Sequence, residues 1–340
     1  VSYQRNHKMK ILNIARTILV IVLSAGILNS CTKIEEGYLS EGIRYQFPTI
    51  EVERGVVKIA NENLIFPDGS TLPLNVKLLD IRDKTTGKRA GEWFQQYDSY
   101  RFIAPLTDTD TTMELFNKKI EYGKFLPFDF VASGGYFRFN TGTKNIPLGE
   151  YIFDLEVSNV KGTKQLLNAA TIIVKEPIPY VIDASTQLGT AKDGTPTTHA
   201  YLPVTQRDVT VEKIGNEKNQ VILKIVDKNG KPFNPKTTIQ NRLLADGSVL
   251  NDFTTFALFD RVQYTDDAMS YNFGIPPYPF KNAPVNGKTM YFWIPAQFVE
   301  IDQFPSAEYP RAALSVRVRI DIKVEGTWLI TIKALNATAK

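Results

Sequence analysis

Between Leu314 and Val324 every second residue is apolar. Leu314, Val316, Val318, Ile320, Ile322 and Val324 alternate with Ser315, Arg317, Arg319, Asp321 and Lys323. A period of two places all six apolar side chains on one face of an extended chain, which a helix with that spacing does not do. The stretch predicts a strand with one face in a core and the other toward water. Glu325-Gly326 reads as a turn and residues 327–332 as the returning strand of a long terminal hairpin, with Trp328 in the inward phase of Ile330 and Ile332. The same signature recurs upstream. Tyr151, Phe153, Leu155 and Val157 alternate with Ile152, Asp154, Glu156 and Ser158, and after a turn at 159–162 the chain returns over 170–174. Residues 72–78 alternate ahead of a turn around Thr86-Gly87, and Gln220–Val226 runs into Asp227-Lys228-Asn229-Gly230, whose Asn-Gly favours a hairpin. Helical patterning is confined to residues 92–97 and 111–120. The expected fold is mainly β, with two antiparallel β-sandwich domains.

Pro147-Leu148-Gly149-Glu150-Tyr151 resembles the tyrosine corner of immunoglobulin-like sandwiches, so the first domain is expected to be immunoglobulin-like. Lys175-Glu176-Pro177-Ile178-Pro179 reads as a linker, because two prolines hold the chain extended and remove donors. The chain is long enough for more than one core. The expected boundaries are 43–176 for the first sandwich and 177–340 for the second, which carries the aromatic and proline-rich loops.

The N-terminal segment is of another kind. Ile18-Leu19-Val20-Ile21-Val22-Leu23-Ser24-Ala25-Gly26-Ile27-Leu28 follows Lys8, Lys10 and Arg16. It is too short to span a bilayer, which takes roughly 20 apolar residues, and has the length of a secretory h-region behind a basic n-region. Leu28-Asn29-Ser30-Cys31 resembles a bacterial lipobox, which implies cleavage before Cys31 and a lipidated mature N-terminus. Residues 1–30 are then an upstream extension and signal peptide, with Met9 as the start, and 31–42 a lipidated tether. Cys31-Thr32-Lys33-Ile34-Glu35-Glu36 resembles the acidic export signal of Bacteroidetes surface lipoproteins, with Lys33, Glu35 and Glu36 as its charged residues. An outer-membrane, outward-facing location follows from that resemblance. Four basic residues (Arg5, Lys8, Lys10 and Arg16) and no acidic one precede Cys31, so the overall charge of +4 belongs to the leader. The remaining chain is neutral, without the basic field that nucleic acid requires. Cys31 is the only cysteine, so no disulfide can form within the chain.

Catalytic patterns are sparse. The two histidines are His7, in the leader, and His199, in Thr197-Thr198-His199-Ala200-Tyr201, which reads as a surface or edge residue. No Gly-x-Ser-x-Gly elbow, P-loop or dinucleotide fingerprint occurs. Asp108-x-Asp110 and Asp266-Asp267 lack calcium-loop spacing and read as solvated turns. No cofactor or metal is expected. A glycosidase needs only two facing carboxylates, and that reading stays open.

Aromatic residues are more informative. Tyr271-Asn272-Phe273-Gly274-Ile275-Pro276-Pro277-Tyr278-Pro279-Phe280 concentrates rings and prolines, and Tyr291-Phe292-Trp293-Ile294 follows. With Phe292 and Ile294 in the core, Tyr291 and Trp293 emerge on the opposite face. Tyr271, Tyr278, Tyr291 and Trp293 are the expected ligand-binding residues, forming a platform on which a sugar ring or peptide side chain stacks. The alternative is that a loop covers this face and the rings are core. A second group, Trp93-Phe94-x-x-Tyr97-x-x-Tyr100, reads as packing, with a domain-interface role as the alternative.

Gly37-Tyr38-Leu39-Ser40-Glu41-Gly42-Ile43-Arg44-Tyr45 and the stretches 71–83 and 146–162 resemble an uncharacterised Bacteroidetes surface lipoprotein family. Its members accompany starch-utilisation-like uptake systems, each a TonB-dependent barrel with a lid lipoprotein. The resemblance implies a non-enzymatic accessory subunit of a nutrient importer that binds oligosaccharide. A structural or assembly subunit, or a peptide-binding one, is the alternative.

Overall fold

The computed structural model describes residues 37–340 apart from 60–63, 106, 108, 111, 196–200, 206, 245, 258–260 and 280–286. Cys31, Lys33, Glu35, Glu36, Asp108, His199 and Phe280 lie outside the described residues. The fold is mainly β. Among the described residues the α-helix is a single short one, Met113–Asn117, and the remaining helical pieces are 3-10 turns such as Gly91–Phe94.

The first half is organised on a four-stranded sheet in the order Thr49–Glu53, Gly162–Lys175, Gly149–Asn159, Asn75–Asp83. The hairpin joining Gly149–Asn159 to Gly162–Lys175 is the expected one, with Asn159 opposite Gly162. Thr49–Glu53 runs parallel to its neighbour, so the sheet is not purely antiparallel. Alternation along Gly149–Asn159 sends Tyr151, Phe153, Leu155 and Val157 inward. They meet Phe128, Phe137 and Phe139 from the facing strands Phe128–Val131 and Tyr136–Phe139, with Phe137 and Phe153 rings 5.1 Å apart. Trp93 from the 3-10 turn closes this core edge-on to Tyr151 at 5.4 Å. The tyrosine-corner geometry is realised: the Tyr151 hydroxyl donates to the Pro147 carbonyl at 2.9 Å. Asp154 breaks the alternation at a bulge, buried in the sheet. Its carboxylate accepts from Arg82 at 2.7 Å and from the Asn168 N–H at 2.7 Å, which satisfies a group otherwise costly to bury.

The second half is a sandwich of two five-stranded sheets. One orders Tyr201–Thr205, Gln187–Ala191, Ala313–Val318, Met290–Ile294 and Gln240–Asn241. The other orders Arg207–Gly215, Thr327–Ala334, Gln220–Val226, Met269–Asn272 and Gln263–Tyr264. Leu314, Val316, Val318, Ile320 and Ile322 all point inward, as their period requires. The expected terminal hairpin does not form. Ala313–Val318 pairs with Gln187–Ala191 and Met290–Ile294, and Ile320–Ile322 with Tyr180–Ile182. Thr327–Ala334 instead pairs with Arg207–Gly215 and, in parallel, with Gln220–Val226. The turn at 325–326 therefore crosses from one sheet to the other, with Gly326 at φ 130°. Two strands that each bury one face are satisfied equally by lying side by side or by facing each other, and alternation does not distinguish these.

Buried apolar residues gather into two large clusters, one drawn from residues 43–174 and one from 188–337. Replacing Tyr151 by Phe removes one hydrogen bond and leaves the Pro147 carbonyl without this donor, which is expected to cost about 1–2 kcal/mol. Denaturant unfolding of Tyr151→Phe checks this, and an unchanged midpoint would contradict the role given to the hydroxyl.

Candidate ligand cleft

The four aromatics expected to form a platform are all buried. Tyr271, Tyr278, Tyr291 and Trp293 retain 2%, 1%, 8% and 1% exposure. The phase along Met290–Ile294 is the expected one. Phe292 and Ile294 join the large core, while Trp293 packs on the opposite face with Ala191 and Ala313. That face is covered rather than open. The Tyr291 N–H donates to the Asn251 carbonyl at 2.7 Å, and the guanidinium groups of Arg242 and Arg317 lie 5.5 and 5.8 Å from its ring centre. Tyr271 and Tyr278 are core residues. Tyr278 exchanges backbone hydrogen bonds with Ile322 at 2.8 and 2.7 Å, and its ring meets Phe273 at 5.5 Å and Tyr271 at 5.9 Å. The proline-rich loop thus closes one edge of the second core, and burial pushes the Tyr278 hydroxyl pKa well up.

Exposed rings occur instead on an arm of the first half. Tyr97–Phe102 pairs antiparallel with Ile120–Phe125. Asp98, Tyr100 and Phe102 share one face with Lys124, Tyr122 and Ile120, since paired residues project together. Tyr100 contacts Phe102 at 6.2 Å and Tyr122 at 5.9 Å, making a run of three rings. Its central ring is buried, whereas Phe102 and Tyr122 are 40% and 61% exposed. Burial first and then the Glu325 carboxylate hold the Tyr122 hydroxyl above the usual tyrosine range. The base of the arm joins the first core through Tyr97, and Ser99 donates to Asn140 at 3.0 Å. At the far end Tyr100, Phe116 and Ile120 pack with Ile275 of the second half and with Val57. Gly274 permits this approach, because a Cβ there would sit 3.1 Å from the Phe116 ring.

Beside this layer a cleft of about 350 Å³ opens between the halves. One wall is Glu51 and Glu53 with Val56, Val57, Lys58 and Lys175, and the other is Pro276, Pro277 and Lys323. Lys175 binds Glu51 at 2.6 Å, and Lys58 donates to the Glu51 carbonyl at 2.6 Å. Lys323 reaches across the junction to Glu53 at 3.5 Å. The other Glu53 oxygen, Oε2, is buried and accepts no hydrogen bond among the described residues. Apolar walls flanked by carboxylates and ammonium groups present acceptors and donors for a polyhydroxylated ligand. Two facing acids would have suited a glycosidase. Glu51 and Glu53 instead rise from one face of one strand, and the Lys175 hydrogen bond and charge lower the Glu51 pKa, the reverse of what a general acid needs.

Among the described residues no group of three His, Cys, Asp or Glu is placed to hold a metal ion. Asp110 binds Lys119 at 2.7 Å, Asp266 binds Lys236 at 3.0 Å and Asp267 binds Lys224 at 2.6 Å. The sequence points to Tyr97 and Tyr100, and Tyr100 does pack against Ile275 of the second half, but it does not single out the cleft acids, Phe102 or Tyr122. Tyr100-x-Phe102 and Ile120-x-Tyr122 do carry the period-two signal, but nothing local says that strands 17 residues apart pair.

No protein-family model and no curated protein matches the chain. Among solved structures one match is a SusE-like surface-located polysaccharide-binding protein from the Bacteroides thetaiotaomicron heparin utilisation locus, with 8% identity and a TM-score of 0.22. The alignment covers 86% of this chain and 53% of that one, so the chain spans about half that protein's length. Likeness of this degree fixes neither fold nor function.

Two outcomes are expected. Trp293→Ala should lower stability by about 3–5 kcal/mol, as for any large buried ring, and a melting curve matching the unsubstituted chain would reopen an exposed role. Glu51 is stabilised as a carboxylate, so its contribution is present above its unfolded pKa and lost as pH falls through the lowered folded value. Lys175 is raised by the same partner, and its contribution is lost only as pH rises through its raised pKa. Carboxyl NMR titration should place Glu51 below a free glutamate and move it upward in Lys175→Met. An unchanged Glu51 titration in that variant would contradict the pairing.

Proposed function

We propose that the chain is an outer-membrane, surface-exposed lipoprotein that captures oligosaccharide as an accessory subunit of a TonB-dependent nutrient importer. The observation that carries the reading is the open run of rings at Phe102 and Tyr122 beside a junction cleft with apolar walls and charged groups. Flat exposed rings stack on the apolar face of a pyranose, and carboxylates accept from its hydroxyls. The Cys31 lipobox and the Lys33, Glu35, Glu36 signal support the address, and the family resemblance supports the importer barrel and lid lipoprotein as partners.

A second reading is favoured by Ile103 and Leu115, aliphatic and exposed at the outer end of the same arm. Aliphatic side chains give a sugar no stacking surface and suit a protein contact, so an assembly subunit without glycan binding is the alternative.

Calorimetry against a glycan panel separates the two. Loss of one stacking ring is worth about 1.5 kcal/mol, so Tyr122→Ala should weaken binding about tenfold, while Ile103→Asp leaves it intact. No binding to any glycan, with co-purification of a barrel partner abolished by Ile103→Asp, would replace capture by assembly.

A further inference from the structure

One end of the first half is apolar and lies where the chain leaves for Cys31. The Tyr38 N–H donates to the Thr71 hydroxyl and the Thr71 N–H to the Tyr38 carbonyl, each at 2.8 Å, and the Asn159 side chain donates to the carbonyls of both residues at 2.8 and 3.0 Å. Gly37 lies directly against Val160, since a Cβ there would fall 2.5 Å from the Val160 side chain. These bonds gather Tyr38, Leu72 and Val160, which are 54%, 68% and 75% exposed. Within residues 37–40, 71–75 and 158–163 the only charged side chain is Lys161, and the patch is bordered by Asp68, which accepts from the Ser40 hydroxyl, and by the Glu41–Lys164 pair.

We propose that this end rests on the outer leaflet, with the Tyr38, Leu72 and Val160 side chains at headgroup level. The inference rests on the reading of Cys31 as acylated. The seven residue steps from Cys31 to Tyr38 span at most about 25 Å when fully extended. Tyr38 therefore lies within about 25 Å of the anchor whatever path the intervening chain takes. Its chemistry fits that surface: tyrosine is favoured at membrane interfaces, aliphatic tips enter the acyl boundary, and a lysine such as Lys161 extends its ammonium toward phosphate. The opposite end of the same sheet does not fit it. There Lys175 and Glu53 line the charged junction cleft. The eleven residues of Gly149–Asn159 separate the two ends by about 35 Å at strand rise. The long hairpin is then a post that stands on the membrane and lifts the cleft into the medium.

Cys31 is the only cysteine, so its acylation leaves no free thiol, and Val160→Cys or Ile178→Cys each supplies a single labelling position. Ile178 is exposed just past the cleft end of the hairpin. The full chain, purified with its anchor, is placed in phosphatidylethanolamine–phosphatidylglycerol vesicles, and the fluorescence of each label is read with and without headgroup-nitroxide lipid. The label at 160 should lose most of its fluorescence and the label at 178 almost none. Mass spectrometry of the N-terminal peptide reports acylation separately. An acylated chain with equal quenching at both positions, or none at 160, overturns the membrane footing and leaves the anchor intact. An unmodified Cys31 overturns both.

Discussion

The pairing of Gly149–Asn159 with Gly162–Lys175 organises the first half. It supplies the inward row Tyr151, Phe153, Leu155 and Val157, and its outer edges template Asn75–Asp83 and Thr49–Glu53. At mid-length the bulge at Asp154 would place a buried carboxylate inside the sheet without compensation. Arg82 and the Asn168 N–H supply that compensation, and Asn168 takes a positive φ of 53° to do so. The hairpin's turn end meets Tyr38, and its other end delivers Lys175 and, through Thr49–Glu53, the two acids of the cleft. The Tyr38 contact, the core and the cleft are thus set by one element.

Charge follows the same division. The cleft acids come from the first half and its lysines from both, and Lys323 is the cation that reaches Glu53 across the junction. The arm spans the same boundary, rooted in the first core at Tyr97 and inserted against Ile275 at Phe116. Of the three rings on its face, Phe102 and Tyr122 are exposed and Tyr100, between them, is buried. An open aromatic surface and a charged cleft therefore share the apolar layer formed by Val57 and Ile275.

Strand existence and inward phase were legible in the sequence, because both follow from the period of two. Tyr151, Phe153 and Leu155, and Leu314 to Ile322, face inward as their spacing requires. Partner choice was not legible. The strand after Gly326 joins the opposite sheet, since the same inward face serves either arrangement. Tyr291 and Trp293 do lie opposite Phe292 and Ile294, as the alternation demands. What removes them from solvent is residues distant in sequence, with Asn251 bonding the Tyr291 backbone and Arg242 and Arg317 near its ring. The exposed rings of the arm were not legible for the converse reason: its two six-residue strands are ordinary locally, and only their long-range pairing brings Tyr122 beside Tyr100 and Phe102.

Hydrogen exchange with and without a saturating bound glycan tests the central claim, that ligand is held at the arm and junction. The expected result is protection over residues 97–102, 120–125 and 51–58, with the 290–294 strand unchanged. Protection confined to the covered aromatic face at 242–253 and 290–294 would contradict it.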